Sequence, residues 1–483
     1  MRILALVPGS KFSKNVARDL VYGCWCKGKR IAGIKFPPLS LLSVATVLRN
    51  EKFTIDFVDA AALQLSLPDL QKRISDYNAL IILTSTMTLN EDAELLLQLK
   101  KTNPALCTIV FGGHVTAEPE STLQRKGVDI VVRGEAEYII RDVIKAMSAG
   151  VDSWREIRGI SFIMNGQCVN NPPYPLIDNL DDLPIPDRSM LSADIDYFNP
   201  VIKRIPYTTM FTSRGCPGEC IFCSSPYFYG RKIRFRSANR VLEEMEMVSR
   251  AGYKEVFFRD EIFTVSKKRV LDICKGIIGR GLDLTWVCSA RIGSVDLEML
   301  KMMKLAGCHM VRFGVESGAQ KLLDNIKKGT TLEQIYQTFN WTHELNIDTH
   351  AHMMIGLPGE NKESLETTIK FVKKIEPTVV TFGILTAYPG TPLFSKIKRG
   401  HPGIGDGTQA DLGKLHTNSF YNEYFTDLDQ KELSAYIRKV YREFYMRPKY
   451  ILKWLRRINN IGELKRIILA GTQVFDFICN RGE

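Results

Sequence analysis

The segment Thr212-Ser-Arg-Gly-Cys216-Pro-Gly-Glu-Cys220-Ile-Phe-Cys223 places three cysteines at a Cys-x3-Cys-x2-Cys spacing, with no fourth cysteine nearby. Three thiolates can hold three irons of a 4Fe–4S cube and leave the fourth iron open to a small molecule. A structural zinc site uses four protein ligands and has no open position, whereas this segment has three cysteines. A disulfide framework is typical of small secreted chains. The alternative is three buried cysteines that share this spacing by coincidence. The spacing therefore predicts an iron–sulfur site.

Short apolar strands alternate with helical stretches over most of the chain. In residues 1–150 this alternation predicts a doubly wound, flavodoxin-like or Rossmann-like parallel sheet, which binds ligands outside the carboxyl ends of its strands. In residues 206–400 six longer βα units predict a partial (β/α)6 barrel of the TIM type with an open side. The strands predicted in the first unit are Ile3–Val7, Thr54–Val58, Ala79–Leu83, Thr108–Phe111 and Ile130–Val132.

Two other regions differ in composition from these units. Residues 151–205 are rich in proline, which fixes φ and removes an amide donor, so they predict a linker that adds one edge strand near Gly159–Ile163. Residues 401–483 predict a helical tail, and residues 435–483 carry a net charge of +7 among aromatic residues. Such a tail can pack on the body with one solvated face, lie on an anionic membrane surface, or contact nucleic acid.

The overall composition limits the class of protein. The chain has 483 residues, of which 45% are apolar and 24% charged, with a net charge of +12, as in multidomain globular proteins. No apolar run reaches the roughly 18 residues that span a bilayer, and the N-terminus is typical of a first strand rather than a signal peptide. We therefore expect a cytoplasmic protein, because reducing conditions suit iron–sulfur chemistry.

The cysteine segment, with Phe222 before the third cysteine, resembles the cluster loop of the radical S-adenosylmethionine enzymes. Gly314-Val-Glu316-Ser-Gly318 and His350-Ala-His352-Met-Met-Ile-Gly356 resemble the fourth and fifth strands of the same family. The resemblance implies that Cys216, Cys220 and Cys223 bind a 4Fe–4S cluster whose open iron chelates S-adenosylmethionine. It also implies a 5′-deoxyadenosyl radical, formed after reduction by an external one-electron partner of the flavodoxin or ferredoxin type.

Groups at the predicted strand ends match the parts of S-adenosylmethionine. Asp260 or Glu261 would bind its ammonium, and Arg291 would bind its carboxylate through a guanidinium fork. Glu316 would accept hydrogen bonds from the ribose, and Gly356 would let the backbone approach the adenine. The residues predicted to contact S-adenosylmethionine are Phe222, Asp260, Glu261, Arg291, Glu316, Ser317 and Gly356.

Two histidines, His350 and His352, alternate along one predicted strand and therefore face the same side. Metal ligation would need a third ligand, which the sequence does not provide. Histidines that line the barrel are therefore favoured over a metal site.

The first unit resembles the cobalamin-binding domain that precedes the barrel in a large radical S-adenosylmethionine subgroup. Its glycines would admit a flat macrocycle, and its hydroxyl and carboxylate side chains would hydrogen-bond to it. The segment Asp56-Phe-Val-Asp59-Ala-Ala lacks the histidine that ligates cobalt in many cobalamin proteins, and His114 is a candidate by position only, with a loop hydrogen bond favoured. The residues predicted to contact cobalamin are Pro38, Leu39, Thr84, Ser85, Gly112, Gly113, Gly134 and Glu135.

The resemblance implies a cobalamin-dependent methyltransferase that acts on an unactivated carbon, or on phosphorus, of a small-molecule, natural-product or lipid substrate. The alternative within the enzymes is a cyclase or rearrangement enzyme with the same cofactors. A non-catalytic cobalamin or redox sensor is a hypothesis of another class, and the presence of Asp260, Arg291 and Glu316 argues against it. Nucleic acid is not favoured, because no RNA-binding segment is recognisable after residue 400.

Overall fold

The computed structural model describes residues 1–10, 35–150, 152–408, 421–455 and 471–472. These residues form two parallel sheets, joined by an extended segment and followed by two helices. The part of the predicted basic tail beyond residue 455 lies almost entirely outside the described residues.

The first sheet has five parallel strands with helices on both faces. Its central strands are apolar along their whole length, as expected where both faces are covered. The strands are β1 (Arg2–Val7), β2 (Thr54–Asp59), β3 (Ala79–Leu83), β4 (Cys107–Phe111) and β5 (Ile130–Val132). The helices are α1 (Leu39–Asn50), α2 (Ala60–Leu63), α3 (Leu67–Ile74), α4 (Leu89–Thr102), α5 (Gly113–Ala117), α6 (Pro119–Leu123) and α7 (Ala136–Ser148). The strand order β2-β1-β3-β4-β5 confirms the predicted flavodoxin-like sheet.

A hairpin extends this sheet into the region predicted to be linker. Strand β6 (Ile160–Met164) pairs antiparallel with β5, and β7 (Gln167–Asn170) pairs antiparallel with β6. Their turn is Asn165-Gly166, in which both residues have positive φ, 51° and 78°. An Asn-Gly turn between two strands is a strong hairpin signal. The sequence prediction of a single edge strand missed it, and the extended linker begins only after residue 170.

The second sheet consists of six parallel strands in the order β15-β14-β13-β12-β11-β8, which confirms the partial barrel. A separate two-stranded pair, β9 with β10, flanks the cysteine segment. The strands of this half are β8 (Tyr207–Met210), β9 (Ser213–Arg214), β10 (Arg234–Phe235), β11 (Glu255–Phe258), β12 (Thr285–Ala290), β13 (Cys308–Glu316), β14 (Asp348–Ile355) and β15 (Val379–Ile384). The helices are α8 (Ser225–Phe228), α9 (Ala238–Arg250), α10 (Lys267–Gly279), α11 (Leu297–Leu305), α12 (Gln320–Asn325), α13 (Leu332–Glu344), α14 (Lys362–Ile375), α15 (Pro392–Gly400), α16 (Gln430–Tyr445) and α17 (Pro448–Leu455).

Alternation along the barrel strands separates a helix-facing side from an interior side. On β13, Val311, Phe313 and Val315 belong to the large apolar core beneath the helices. The residues between them therefore face the interior, because successive side chains point to opposite faces of a strand. The interior positions include Arg312 and Gly314 on this strand.

The base of the barrel interior is covered by apolar side chains from outside the barrel. Phe36, which precedes α1, lies 5.8 Å from the ring of Phe257, and Tyr207 donates to the Lys35 carbonyl at 2.7 Å. Ile202 of the linker joins the same apolar cluster. The first domain and the linker thus supply the floor of the barrel interior.

A buried cluster of ion pairs joins the first domain to the cysteine segment. Glu137, at the start of α7, lies 2.5 Å from Arg214, and Ser43 donates to the same carboxylate at 3.0 Å. Glu135 lies 3.1 Å from Arg214 and 2.8 Å from Arg234. All four charged side chains are at most 3% exposed. We call Glu135, Glu137, Arg214 and Arg234 the interdomain clamp.

The helix α16 packs on the barrel through its apolar face. Leu433, Ile437 and Phe444 are buried in the barrel core. Tyr441 and Tyr445 hydrogen-bond to the backbone of Phe382 and Val380, and so satisfy the edge strand β15. The barrel therefore covers these two tyrosines, as in the packed alternative, and membrane contact by the rest of the basic tail stays a prediction. None of the described helices is long and apolar enough to cross a bilayer.

We predict that Glu137→Ala destabilises the protein by about 3–5 kcal/mol, because it leaves the buried Arg214 without its main partner. Burial alone would raise the pKa of Glu137, but Arg214 and Ser43 hold that pKa below its ordinary value. The stabilisation is therefore present above the ordinary glutamate pKa and is lost as the pH falls below it. Urea unfolding of both proteins at several pH values measures the difference. Asp272→Ala, which breaks an exposed ion pair on α10, should leave the unfolding midpoint nearly unchanged.

Candidate active site

The cysteine segment is fixed by backbone hydrogen bonds to three parts of the barrel. The Cys216 amide donates to the Gly230 carbonyl at 3.2 Å. The Ile221 amide donates to Ile326 at 3.2 Å, while its carbonyl accepts from Leu393 at 3.0 Å. The loop that carries the three thiols is therefore held at the end of α12 and the start of α15.

The thiols themselves are free and surrounded by protein. Burial raises the pKa of Cys216 and raises that of Cys223 to about 12, and neighbouring thiols and the Glu261 carboxylate add to both shifts. Bound iron would offset this, because a metal deprotonates its thiol ligands. Among the described residues, no group of three or more His, Cys, Asp or Glu side chains is placed to bind a single metal ion. The triplet is suited instead to a cluster, whose ligands surround a cube.

The two carboxylates that follow β11 differ in burial and in their hydrogen bonds. Asp260 is buried and accepts from the Thr212 amide at 2.6 Å, from the Thr212 hydroxyl, and from Ser213 at 2.8 Å. It therefore fixes the start of the cysteine segment and is not placed to bind an ammonium. Glu261 is partly exposed, and its charge is felt by Cys216 and Cys223. The adjacent residue Glu261 is the better candidate for the ammonium of S-adenosylmethionine.

Arg291 lies directly beside the cysteine segment. Its Nη1 is 3.9 Å from the Cys220 sulfur, and its Nη2 donates to the Lys328 carbonyl. A Cβ at Gly218 would lie 2.8 Å from the Arg291 guanidinium, so a side chain there would displace the guanidinium from its present position. The guanidinium is thus available at the edge of the thiol triplet, where the prediction placed the carboxylate of S-adenosylmethionine.

Glu316 forms a buried ion pair that the sequence prediction missed. Its carboxylate lies 2.5 Å from the ammonium of Lys328, and both residues are buried. Glu316 also has a left-handed backbone, with φ of 68°, at a bulge of β13. Strained backbone of this kind concentrates at functional sites. Lys328 lies 12 residues beyond Glu316, after α12, and no local spacing in the sequence pairs the two residues.

The turn after β14 is held by a buried acid. Glu360 accepts from the Gly356 amide at 2.5 Å and from the Leu357 amide at 3.1 Å. Gly356 has a φ of 76°, and its carbonyl accepts from Asn422 at 3.0 Å. Ser317 hydrogen-bonds to Thr368 at 3.2 Å, so it secures the strand end rather than facing a ligand. Phe222 packs against the small apolar cluster beneath this turn.

The carboxyl edge of the first sheet has the features of a cobalamin cradle. Ser85, after β3, has a buried hydroxyl without a hydrogen-bond partner among the described residues. No described atom lies within 4 Å of the position that a Cβ at Gly134 would take, so space is open there. Pro38 and Leu39 begin α1, directly after Phe36 enters the barrel. An unsatisfied hydroxyl and an open position at the same edge of the sheet both fit a large polar cofactor.

Three residues predicted to contact cobalamin serve the fold instead. A Cβ at Gly112 would lie 2.2 Å from the Thr84 carbonyl, so this glycine allows two loops to meet. The Thr84 hydroxyl donates to Asp92 at 2.6 Å. Glu135 belongs to the interdomain clamp and is not free to bind corrin amides. Gly113 is the first residue of α5 and lies beside this contact.

His114 is not placed to ligate cobalt. It forms a loop hydrogen bond, which the sequence favoured over ligation. Its side chain is fully buried, and Nδ1 hydrogen-bonds to Thr86 at 2.9 Å. Its Nε2 lies 3.8 Å from Asp406, which follows the barrel and also pairs with Arg125 at 2.9 Å. His114 therefore links the first domain to the segment after α15.

Comparison with known proteins agrees with this geometry. Residues 210–372 match the Radical SAM superfamily, and residues 31–144 match the B12 binding domain. An uncharacterized methyltransferase of Pyrococcus horikoshii is 34% identical over 440 residues, which cover 88% of this chain and 91% of the relative. The chain belongs to the cobalamin-binding radical S-adenosylmethionine enzymes. It is accordingly an enzyme, and its cofactors are a 4Fe–4S cluster, S-adenosylmethionine and cobalamin.

Two further similarities extend over most of the chain. The anaerobic magnesium-protoporphyrin IX monomethyl ester cyclase of Cereibacter sphaeroides is 27% identical over 465 residues, 92% of this chain and 73% of the relative. The solved structure of the cobalamin-dependent S-adenosylmethionine radical enzyme OxsB, with aqua-cobalamin and S-adenosylmethionine bound, aligns with a TM-score of 0.70 at 18% identity. That alignment covers 98% of this chain and 72% of OxsB. At this identity it demonstrates a shared fold only.

We predict that Glu360→Gln flattens the dependence of stability on pH. Burial raises the pKa of Glu360 to about 8, although two backbone amides oppose the shift. Its contribution to stability is therefore greatest below the ordinary glutamate pKa and is lost as the pH rises through about 8. A neutral amide removes this loss, so the variant should gain stability relative to the wild type as the pH increases. The urea midpoint of unfolding is measured across this pH range, with the exposed Glu344→Gln as the control. The prediction is wrong if Glu360→Gln and Glu344→Gln both show the pH dependence of the wild type.

Proposed function

We propose that this enzyme is a cobalamin-dependent methyltransferase that methylates an unactivated carbon of its substrate. The observation that carries the proposal is the docking of the cobalamin-type domain on the thiol segment through the interdomain clamp. This contact holds the start of α7 against the cysteine segment, so cobalamin and the cluster, when bound, would face one substrate space. The similarity to a methyltransferase over 88% of the chain supports the proposal.

Cys216, Cys220 and Cys223 would hold the cluster, and Glu261 and Arg291 would hold the ammonium and carboxylate of S-adenosylmethionine. When bound, the cluster and S-adenosylmethionine supply a 5′-deoxyadenosyl radical, and cobalamin supplies the methyl group. The protein positions these groups and excludes water. Arg291 lies at the edge of the triplet, and Lys328 anchors Glu316 where the ribose would lie.

A cyclase that uses the same cofactors is the second candidate. The similarity to the anaerobic cyclase of Cereibacter sphaeroides, which extends over 92% of this chain, favours it. The two candidates share the cysteines, the barrel and the first domain, and they differ in the fate of the substrate radical. The products of S-adenosylmethionine therefore distinguish them.

The decisive experiment is anaerobic purification with cobalamin, reduction in the presence of candidate substrates, and mass spectrometry of the products. Formation of both 5′-deoxyadenosine and S-adenosylhomocysteine supports methyl transfer. Formation of 5′-deoxyadenosine alone, together with a modified substrate, contradicts it and supports cyclisation. Cluster content is measured first, so that the comparison is made on loaded enzyme.

We predict that Cys220→Ala abolishes cluster binding, because two thiolates cannot hold the cube with one open iron. Iron and sulfide content and the EPR signal of the reduced protein should fall to background, and 5′-deoxyadenosine should not form. Cys168→Ser on β7 is the matched control and should retain full cluster content. A Cys220→Ala protein with wild-type iron content would contradict the assignment.

A further inference from the structure

The cysteine segment has one side that faces the residues assigned to S-adenosylmethionine and another side that faces solvent. Gly218 lies against the guanidinium of Arg291, whose Nη1 is 3.9 Å from the Cys220 sulfur. The next residue, Glu219, is exposed, and its carboxylate pairs with Arg231 at 2.7 Å. The thiols therefore lie between a ligand side and an outer side.

Backbone contacts place an exposed stretch of chain directly over the first thiol. The Cys216 amide donates to the Gly230 carbonyl at 3.2 Å. A Cβ at Gly215 would clash with the Lys232 carbonyl, so the two stretches of backbone touch there. Arg231 is exposed and lies within electrostatic range of the Cys216 thiol. This thiol therefore lies just beneath the outer side of the segment.

The short helix α8 connects the third thiol to the same side. The helix begins two residues after Cys223. Phe228 and Tyr229 pack against the apolar core of the first domain, and this packing fixes the orientation of the helix. Tyr227, in contrast, is 59% exposed. An aromatic ring is therefore presented to solvent at the fourth residue after Cys223.

A second exposed apolar side chain adjoins this stretch. Leu176 of the linker is 42% exposed, and its Cδ1 lies 3.0 Å from the position that a Cβ at Gly230 would take. Arg231 lies within electrostatic range of the Tyr227 hydroxyl. Exposed apolar side chains that lie together within a polar rim are typical of an interaction site. We call Leu176, Tyr227, Arg231 and Lys232 the outer surface.

The charges around the outer surface favour an acidic partner. Arg231 pairs with Glu219, and Lys232 pairs with Asp178 at 3.2 Å. Both ion pairs are exposed to solvent, so each contributes little to stability and can be exchanged for carboxylates of a partner. Arg231 and, to a smaller extent, Lys327 lower the pKa of Glu219, so Lys327 adds a third cation to this rim. The net charge of +12 also attracts an acidic protein at long range.

The proposed reaction needs a route by which electrons reach the thiol site. Cleavage of S-adenosylmethionine consumes one electron for each radical formed, and this electron has to come from outside the chain. On the ligand side, S-adenosylmethionine would occupy the space next to Arg291. The outer surface reaches Cys216 and Cys223 without passing through the barrel. A protein docked on the outer surface would therefore bring its own cofactor close to the cluster.

We propose that the outer surface docks an acidic protein of the flavodoxin type, which reduces the cluster. The inference rests on the proposed function, because it assigns a partner to the same thiol site. The reduced flavin of the carrier loses one electron and the oxidised cluster gains it, and no covalent bond forms or breaks. The exposed edge of the flavin packs on Tyr227 and Leu176, and carboxylates around the flavin pair with Arg231 and Lys232.

The test separates docking from the chemistry of the site by using two reductants. The full-length protein with a reconstituted cluster is mixed anaerobically with an acidic flavodoxin, and calorimetry measures binding at low and at high salt. EPR follows reduction of the cluster, once by reduced flavodoxin and once by dithionite. We expect flavodoxin to bind with an affinity that falls several-fold as the salt concentration rises. Dithionite is small and should reduce the cluster without docking.

Substitutions locate the docking site. Tyr227→Ser should weaken flavodoxin binding by about tenfold, because a tyrosine buried at the centre of an interface carries much of its affinity. Lys232→Glu should weaken binding by about threefold to tenfold and reduce its salt dependence. Dithionite should reduce the cluster of both variants as it does in the wild type. Met247→Ser on α9 and Lys268→Glu on α10 are the matched controls at exposed positions, and both should bind flavodoxin as the wild type does.

Three results would each overturn the proposal. The first is no binding of flavodoxin at low salt, and the second is unchanged flavodoxin affinity in both variants. The third is a loss of cluster content or of dithionite reduction in both variants, which would assign these residues to cluster binding instead of docking.

An interface between two copies of this chain is the competing use of the outer surface. In that case the mass of the protein in solution would fall in Tyr227→Ser while flavodoxin binding stayed unchanged, and the proposal would be wrong. Failure of methyl transfer in the product experiment would leave the calorimetric and EPR measurements unaffected. Loss of flavodoxin docking would in turn leave the products formed with dithionite unchanged, so the two failures are distinguishable.

Discussion

The interdomain clamp is the interaction on which the arrangement of the active site depends. Arg214 lies two residues before Cys216, and it is held between two carboxylates from the start of α7. A buried charge is tolerated only when its partners are fixed, so the clamp allows one docking position of the first domain on the cysteine segment. The edge of the first sheet, which has the open space at Gly134, is thereby placed next to the thiols.

The rest of the barrel organises a substrate space beneath this contact. Each parallel strand sends alternate side chains to the helices and to the interior, so one face forms the core and the other forms layers around the barrel axis. The floor is apolar and includes Phe36 from the first domain. Above the floor, Arg312 hydrogen-bonds to His352, and the strand ends carry Arg291 and the Glu316–Lys328 pair. Phe36 therefore connects the first domain to the floor of the barrel, and the interdomain clamp connects the same domain to the mouth of the barrel.

Sequence reasoning assigned some polar residues to ligands because it could not see their partners. Asp260 and Glu261 are adjacent carboxylates, and only the folded chain reveals that Asp260 is occupied by Thr212 and Ser213. Glu135 was assigned to cobalamin for its position after a strand, but Arg214 and Arg234 come from 79 and 99 residues away to pair with it. Gly112 does need to be a glycine, although the close neighbour is the Thr84 carbonyl and not a ligand.

The sequence by itself determined the two α/β units, their strand order, the thiol triplet and the family, because these depend on local periodicity and on spacing within one segment. Tertiary structure alone decided which charges are paired and which face a ligand. It united Glu137 with Arg214, Glu316 with Lys328, and Arg312 with His352 of β14. Pairings across such distances depend on how strands register and domains dock, which no local pattern in the chain encodes.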